Sequence, residues 1–392
     1  MRLLLIAERF MPQRGGLAVS TRRLAMSLAS RGVEVHLFVL TGEVDPGDLV
    51  SGRMDNIFIH RLGRFNKFDR SYMVACRAIE LLHRRHPFDA VMGVYLMYAG
   101  YLAAMEARML DLPCLTMARG NDVDREIWRP ENVPLLMATL KWSTAVGCVS
   151  EELVKKCREL GAREGVYFTP NSVDSDLFSP GESDPELKIS LGLGKGRVVG
   201  FSGEMRFKKG MHHFVEIAGR ISESNPGTHF MLLGGVRNDD RDDYDRLLRD
   251  EPGLENVLVE IPYVENQTEL AKYYRLMDFL FIPSLWEGMP NAALEAMSCE
   301  VPVVASTAGG LADLVDAPRS GYLFPPGDYD AGAEALTAAL ALPDNLRRKM
   351  GRLSRERVIR KFSPKIETDR VFEILEKIIA ENASEKDSPP VE

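Results

Sequence analysis

Short apolar runs alternate along this chain with longer segments whose apolar positions recur at helical spacing. Leu3, Leu4, Leu5, Ile6 and Ala7 form the first run, closed by a loop containing Gly15 and Gly16. Val19, Leu24, Leu28 and Ala29 then follow a helical period up to Gly32, and 33–40 supplies the next apolar run. Strand, glycine loop, helix, strand is a βα pattern. It continues through apolar runs at 57–61, 90–94, 113–117, 145–149 and 166–168. Buried runs separated by helices predict a parallel, doubly wound sheet covered on both faces.

A polar stretch rich in Pro, Gly, Ser and acids, 179–188, reads as a linker, after which the alternation starts afresh. Its runs are 198–202, 229–233, 257–261, 279–283, 302–305 and 321–324. The reading is therefore α/β with two Rossmann-like domains, 1–180 and 181–362. A helical pattern at 363–382 follows, and 383–392 has the composition of a flexible tail. A length of 392 residues suits two domains, each with its own core.

Charge narrows the range of functions. The net formal charge is −8, which argues against nucleic acid as a partner because neutralising phosphates needs a basic footprint. Residues 1–180 carry 23 basic and 21 acidic side chains, against 26 and 36 in 181–392. Five cysteines lie without any CxxC pair, and the seven histidines lack metal-ligand spacing, so neither a disulfide framework nor a metal is expected, and a reducing cytoplasmic compartment fits. The stretch 90–105 holds Gly93 and Gly100 and is too short to span a membrane.

The most informative segment is Ser284-Leu-Trp-Glu-Gly-Met-Pro-Asn-Ala-Ala-Leu-Glu-Ala-Met. It follows an apolar run, so 284–291 is the loop at a strand's C-terminal end, where open α/β sheets bind ligands. Pro290 suits a first helical turn. At the expected helix start near Met289, Pro290 and Asn291, backbone N–H groups of the first turn suit an anion, while Glu287 before the helix and Glu295 within it can accept hydrogen bonds from hydroxyls. The bland alternative is an N-terminal acid and a solvated helix Glu. Arg206, Lys208 and Lys209 follow another apolar run; they are either a diphosphate clamp or a solvated basic turn.

Glu287-x7-Glu295, with Pro283-Ser284 before it and Pro302-Val303-Val304-Ala305-Ser306-x3-Gly310 after it, resembles the signature of retaining GT-B glycosyltransferases of family 4, the glycosyl transferases group 1. Further matches run in order: Gly15-Gly16, Val149-Ser150-Glu151, Pro170 to Asp174 with Phe178, Lys209-Gly210, Gly234-Gly235 and 321–328. The resemblance implies a GT-B architecture whose two Rossmann-like domains face a cleft. The N-terminal domain would take the acceptor and be joined by the C-terminal helix, and the C-terminal domain would take the nucleotide-sugar. It assigns Glu295 to ribose hydroxyls, Glu287 to those of the transferred sugar, and 202–210 with Gly203 to the pyrophosphate. Gly15, Gly16, Gly235 and Val264 would approach the donor. The nucleotide-sugar, a UDP- or GDP-sugar, is a co-substrate, with no cofactor and no metal. The acceptor is a hydroxyl on a glycan, glycolipid or small molecule.

Two positions depart from that pattern. Glu204 stands where the family usually has Arg, with Arg206 two residues later as its substitute. Arg119 stands where His commonly precedes a Gly. Arginine is no proton acceptor, so Arg119 pairs either with an anionic group on a ligand or with Asp122 or Asp124 to hold its loop; Asp122 itself shapes the turn. These departures keep open a non-catalytic nucleotide-sugar-binding protein, and an epimerase on the same fold is a second alternative. Finally, 61–86 is basic and carries Phe65, Phe68, Tyr72, Cys76 and Ile79 at helical spacing. It is read either as a peripheral contact with the inner face of the membrane or as a surface helix packed on its sheet.

Overall fold

The apolar runs form two separate sheets in a computed structural model that describes residues 1–13, 15–162 and 165–387. The first contains β1 (Arg2–Ala7), β2 (Glu34–Pro46), β3 (Leu49–Met54), β4 (Ile57–Gly63), β5 (Ala90–Val94), β6 (Cys114–Ala118), β7 (Ala145–Cys148) and β8 (Val166–Phe168), in the order β3-β4-β2-β1-β5-β6-β7-β8. The second contains β9 (Val198–Ser202), β10 (His229–Leu233), β11 (Leu258–Ile261), β12 (Phe279–Ile282), β13 (Val303–Ser306) and β14 (Gly321–Phe324), in the order β11-β10-β9-β12-β13-β14. All pairings are parallel except β3 with β4. Strand β3 was not expected. It is an exposed edge strand held by backbone pairing, so it carries no buried face to leave an apolar pattern in the sequence.

Period two along the strands sorts the first core into two layers. Leu3, Leu5 and Ala7 of β1, with Val35, Leu37 and Val39 of β2, face Leu24 and Leu28 of the helix Gly16–Ser30. The same layer is sealed by Val371, Ile374, Leu375 and Ile378, the i, i+3, i+4, i+7 face of the helix Pro364–Asp387. The alternate residues Leu4, Ile6 and Phe38 pack against the helix Phe68–Arg85 through Tyr72, Ala75, Ile79 and Leu82. The Phe68 side chain lies outside the described residues, but of the stripe read from 61–86 Tyr72 and Ile79 lie in this core and Cys76 packs against it, which favours a helix packed on its sheet. Arg70, Arg77, Arg84 and Arg85 remain on its exposed face.

Two compact units result, 1–171 with the C-terminal helix, and Ser172–Ser363. The boundary lies nine residues before the expected 180/181 because 172–179 is tied to the second unit. The Val173 N–H donates to Phe362 O at 3.1 Å, Arg355 donates to Ser175 O at 3.0 Å, and Phe178 is buried beside Tyr274. The stretch read as a linker is also structured: Arg275 donates to Ser179 O, and Asp184 caps the short helix Pro185–Ser190. The helix Pro364–Asp387 overruns the expected tail, of which 388–392 lies outside the described residues. Redrawn at these boundaries, the first unit has 27 basic and 27 acidic residues and the second 22 and 30, so the net negative charge belongs to the second.

Candidate active site

In the second sheet β9, β10 and β11 progress to one side, and the chain then crosses to β12 on the other side of β9. Loops leaving β9 and β12 therefore diverge, opening the crevice in which doubly wound sheets hold ligands. The β9 loop carries Gly203, Arg206, Lys208 and Lys209, and the β12 loop carries Glu287, Met289 and Pro290. Gly235 after β10 and Val264 after β11 leave the same edge of the sheet.

The two crevice loops are joined. The Leu285 N–H donates to Lys208 O at 2.9 Å, and Gly210, at φ +74°, leaves no room for a side chain because a Cβ there would lie 1.9 Å from Pro283 O. This explains the glycine after Lys209. Side chains complete the link. Lys209 Nζ pairs with Glu287 Oε1, Lys208 Nζ lies 3.9 Å from Oε2, and Ser284 Oγ donates to Oε1 at 3.0 Å. Glu287 is only 6% exposed. Burial by itself would raise its pKa, but the two ammoniums and the hydrogen bonds of Lys209 and Ser284 prevail and hold it down at about 2. The far wall is equally constrained: Gly309, at φ +52°, sits where a Cβ would meet Glu287 O at 1.9 Å. Of the two readings of this loop, the structure removes the solvated basic turn for Lys208 and Lys209, whose side chains are 13% and 15% exposed.

Glu295 is placed by a neighbour that spacing did not reveal. The Tyr274 hydroxyl, fully buried on the helix Gln267–Leu276, donates to Glu295 Oε2 at 2.7 Å and lies 2.8 Å from Ser202 Oγ at the end of β9. Burial, then the charge of Glu295, push the Tyr274 phenol well above its ordinary pKa, so it remains a donor. Glu295 is half-buried in the helix Asn291–Ser298; Pro290, expected in its first turn, stands one position earlier at the N-cap. No sequence signal marked Tyr274; only its burial beside the two elements discloses it.

Arg206 is not part of the Lys–Glu cluster. Its Nη1 lies 3.7 Å from Glu204 Oε2, and its Nε is buried without a partner among the described residues. The departing Glu204 and its proposed substitute thus neighbour each other.

Gly15, Gly16 and Arg119 belong to the first unit. There β2 and β4 lie to one side of β1 and β5 to the other, which makes β1/β5 the equivalent divergence. Gly15 stands before the helix Gly16–Ser30, and its carbonyl accepts from the Val19 N–H. The carboxylate of Asp122 accepts from the N–H groups of Leu96, Arg119 and Gly120, so Asp122 shapes the turn as read. Burial nevertheless raises its pKa to about 6 against those hydrogen bonds. The Arg119 guanidinium does not turn to Asp122 or Asp124. It donates to Asn171 Oδ1 at 2.7 Å, while Asp124 pairs with Lys156. Among the described residues its Nε and Nη2 are buried without a partner, and burial lowers its pKa to about 10, leaving it cationic at neutral pH.

Comparison with known proteins agrees with this geometry. Residues 14–177 match the family described as Glycosyltransferase Family 4, and 183–357 match Glycosyl transferases group 1. A D-inositol 3-phosphate glycosyltransferase from Corynebacterium jeikeium is 31% identical over 47% of this chain and 46% of its own length, so the chain spans about half of that relative. One from Xylanimonas cellulosilytica is 27% identical over 83% of this chain and 84% of its own. Among solved structures, sucrose-phosphate synthase from Thermosynechococcus elongatus superposes with a TM-score of 0.81 at 22% identity, covering 97% of this chain and 99% of that one. Anabaena Alr3699/HepE in complex with UDP-glucose gives 0.78 at 17%, covering 96% and 100%. These two show the fold. The epimerase alternative finds no support among them. With both units matched in chain order and the expected motifs in place, the chain belongs to the group 1 glycosyltransferases of the GT-B fold.

Proposed function

We propose that this protein transfers a sugar from a nucleoside-diphosphate sugar to a hydroxyl group of a glycan, glycolipid or small-molecule acceptor, with retention of the anomeric configuration. The observation that carries the reading is the buried Lys208–Lys209–Glu287 cluster at the β9/β12 crevice. In the reaction the bond between the anomeric carbon and the diphosphate oxygen breaks, a bond to the acceptor oxygen forms, and the acceptor proton passes to the departing phosphate. Negative charge grows on the leaving oxygens, and fixed cations in a water-poor crevice stabilise that charge more than water does. Glu287 keeps both ammoniums at the crevice. Glu295, aimed by Tyr274, accepts from the ribose hydroxyls. Arg119 then serves an anionic group on the acceptor side. A UDP-sugar is the favoured donor, by analogy with the solved relative that holds UDP-glucose.

A thermal-shift screen with UDP-, GDP- and ADP-sugars tests this. A donor at 100 times its dissociation constant adds about 2.7 kcal/mol of stability. Stabilisation by none of them overturns the proposal. With the stabilising donor, Glu295→Ala is expected to weaken nucleotide binding and Glu287→Ala to lower turnover; the reverse pattern would exchange the two roles.

A further inference from the structure

At the opposite edge of the first sheet from Glu8 and Arg119, near the N-terminal ends of the strands, Glu34, His36 and His86 converge. One ligand atom from each lies within 4.8 Å of the others. Glu34 and His36 are alternate residues of β2, and His86 follows the helix Phe68–Arg85. His36 is fully buried in an aromatic setting, stacked on Phe58 at 4.6 Å, edge-on to Phe88 at 5.2 Å, and 5.0 Å from the His86 ring.

The ring nitrogens of His36 form a chain. Its Nε2 lies 3.0 Å from Glu34 Oε1, its Nδ1 lies 3.0 Å from His60 Nε2, and His60 Nδ1 lies 2.8 Å from Ser51 Oγ. Without a cation the chain is satisfied when His36 Nε2–H donates to Glu34, His60 Nε2–H donates to His36, and Ser51 donates to His60. Both imidazoles can exchange tautomers while remaining neutral, so that His36 Nδ1–H donates to His60 and His60 Nδ1–H donates to Ser51. His36 Nε2 then presents a lone pair beside the Glu34 carboxylate. That is the arrangement in which a ligating imidazole is oriented through its other nitrogen.

We infer that Glu34, His36 and His86 form a binding site for a divalent transition cation of the zinc class, with His60 and Ser51 orienting His36. Two imidazoles and one carboxylate suit such a cation and leave a fourth position for water. At metal–ligand distances of about 2.0–2.1 Å a tetrahedral edge is about 3.3 Å, so Glu34 and His36 are already close enough at 3.0 Å and His86, on a connection beyond a helix end, has to approach by up to about 1.5 Å. The cation would tie β2 to the end of that helix. Arg2 donates to both Glu34 oxygens and therefore competes with the cation for the carboxylate. Sequence spacing conceals the set, because 50 residues separate His36 from His86.

The test uses the untagged full chain, stripped with chelator and equilibrated with Zn2+ or Co2+. We expect one equivalent to survive desalting, a rise in melting temperature with Zn2+, and the visible absorption of four-coordinate Co2+. His86→Ala and Glu34→Gln should each weaken binding at least tenfold, while Arg2→Gln should tighten it. Absence of a retained equivalent overturns the site, as does affinity unchanged in His86→Ala. Should that variant fail to fold, unchanged affinity in Glu34→Gln has the same force.

Discussion

The two units present the same crevice with opposite electrostatics. At β9/β12, Glu287 meets two lysines and a serine hydroxyl, and its acidity is strengthened although it is buried. Around β1/β5, Glu8 and Asp122 meet backbone N–H groups, and away from the crevice, in the later turns of the helix Tyr98–Leu110 that follows β5, Glu106 is buried beside Cys76. Among the described residues no ion pair reaches these three, and burial weakens the acidity of each. Topology supplies a divergence of loops in both places; among the described residues the cluster of two lysines around a carboxylate stands at β9/β12, which is why the diphosphate is proposed to bind there. Net charge would have misled here, since the unit with the lysine-lined crevice is the acidic one. On the function proposed above, donor capture would rest on local groups at the crevice rather than on the long-range field.

The largest effect should come from dismantling the charged side of this comparison. Lys209→Ala leaves Glu287 buried with only the more distant Lys208, and removing one partner of a buried pair costs about 3–5 kcal/mol. Urea unfolding should show a loss near the lower figure, and turnover should fall about 10²-fold or more, as for loss of a charge-stabilising donor. A loss of stability below 0.5 kcal/mol would mean that the two crevices do not differ as argued.

Next in size is the unpaired side. Glu106 titrates near 7 in the folded chain, against an ordinary value of 4.5, because burial outweighs its hydrogen bond with Cys76. The native state therefore binds more protons than the unfolded chain between those values, and this contribution to stability falls as pH rises through the window. Glu106→Gln should match the parent below pH 4.5 and gain on it up to an order of about 3 kcal/mol above pH 7. Comparing variant with parent cancels the histidines. A constant difference across pH would refute the assignment.

The smallest expected effect concerns aim rather than charge. Tyr274→Phe removes one hydrogen bond to Glu295 and should cost about 1 kcal/mol of donor binding, roughly fivefold in Kd. Isothermal titration with the stabilising nucleotide measures it. A fall in turnover with unchanged Kd would place Tyr274 in the chemistry instead.

Much of the fold was legible because buried parallel strands must be apolar throughout, so β1, β5 and β12 announce themselves. The β12 loop with Glu287 and the helix after it with Glu295 were legible because a strand end followed by Pro290 marks where a helix starts. Exposed β3 left no such trace. The segment 179–188 looked like a linker because its composition is polar, yet Arg275 engages the Ser179 carbonyl, and the adjoining 172–178 is held by Arg355 and Phe362 from distant parts of the chain. Arg119 was singled out and Asn171 lay in the matched run Pro170 to Asp174, but nothing in either segment disclosed that the two pair across 52 residues.

By itself the sequence determined the two βα series, the order of their elements, and which loops carry cations, carboxylates and glycines, since these depend on local pattern and turn chemistry. Tertiary structure alone decided that Lys209 meets Glu287, that Tyr274 aims Glu295, and that Glu34, His36 and His86 share one place. Such meetings depend on which strands become neighbours, and strand order across a crossover is a property of the packed sheet rather than of any stretch of chain.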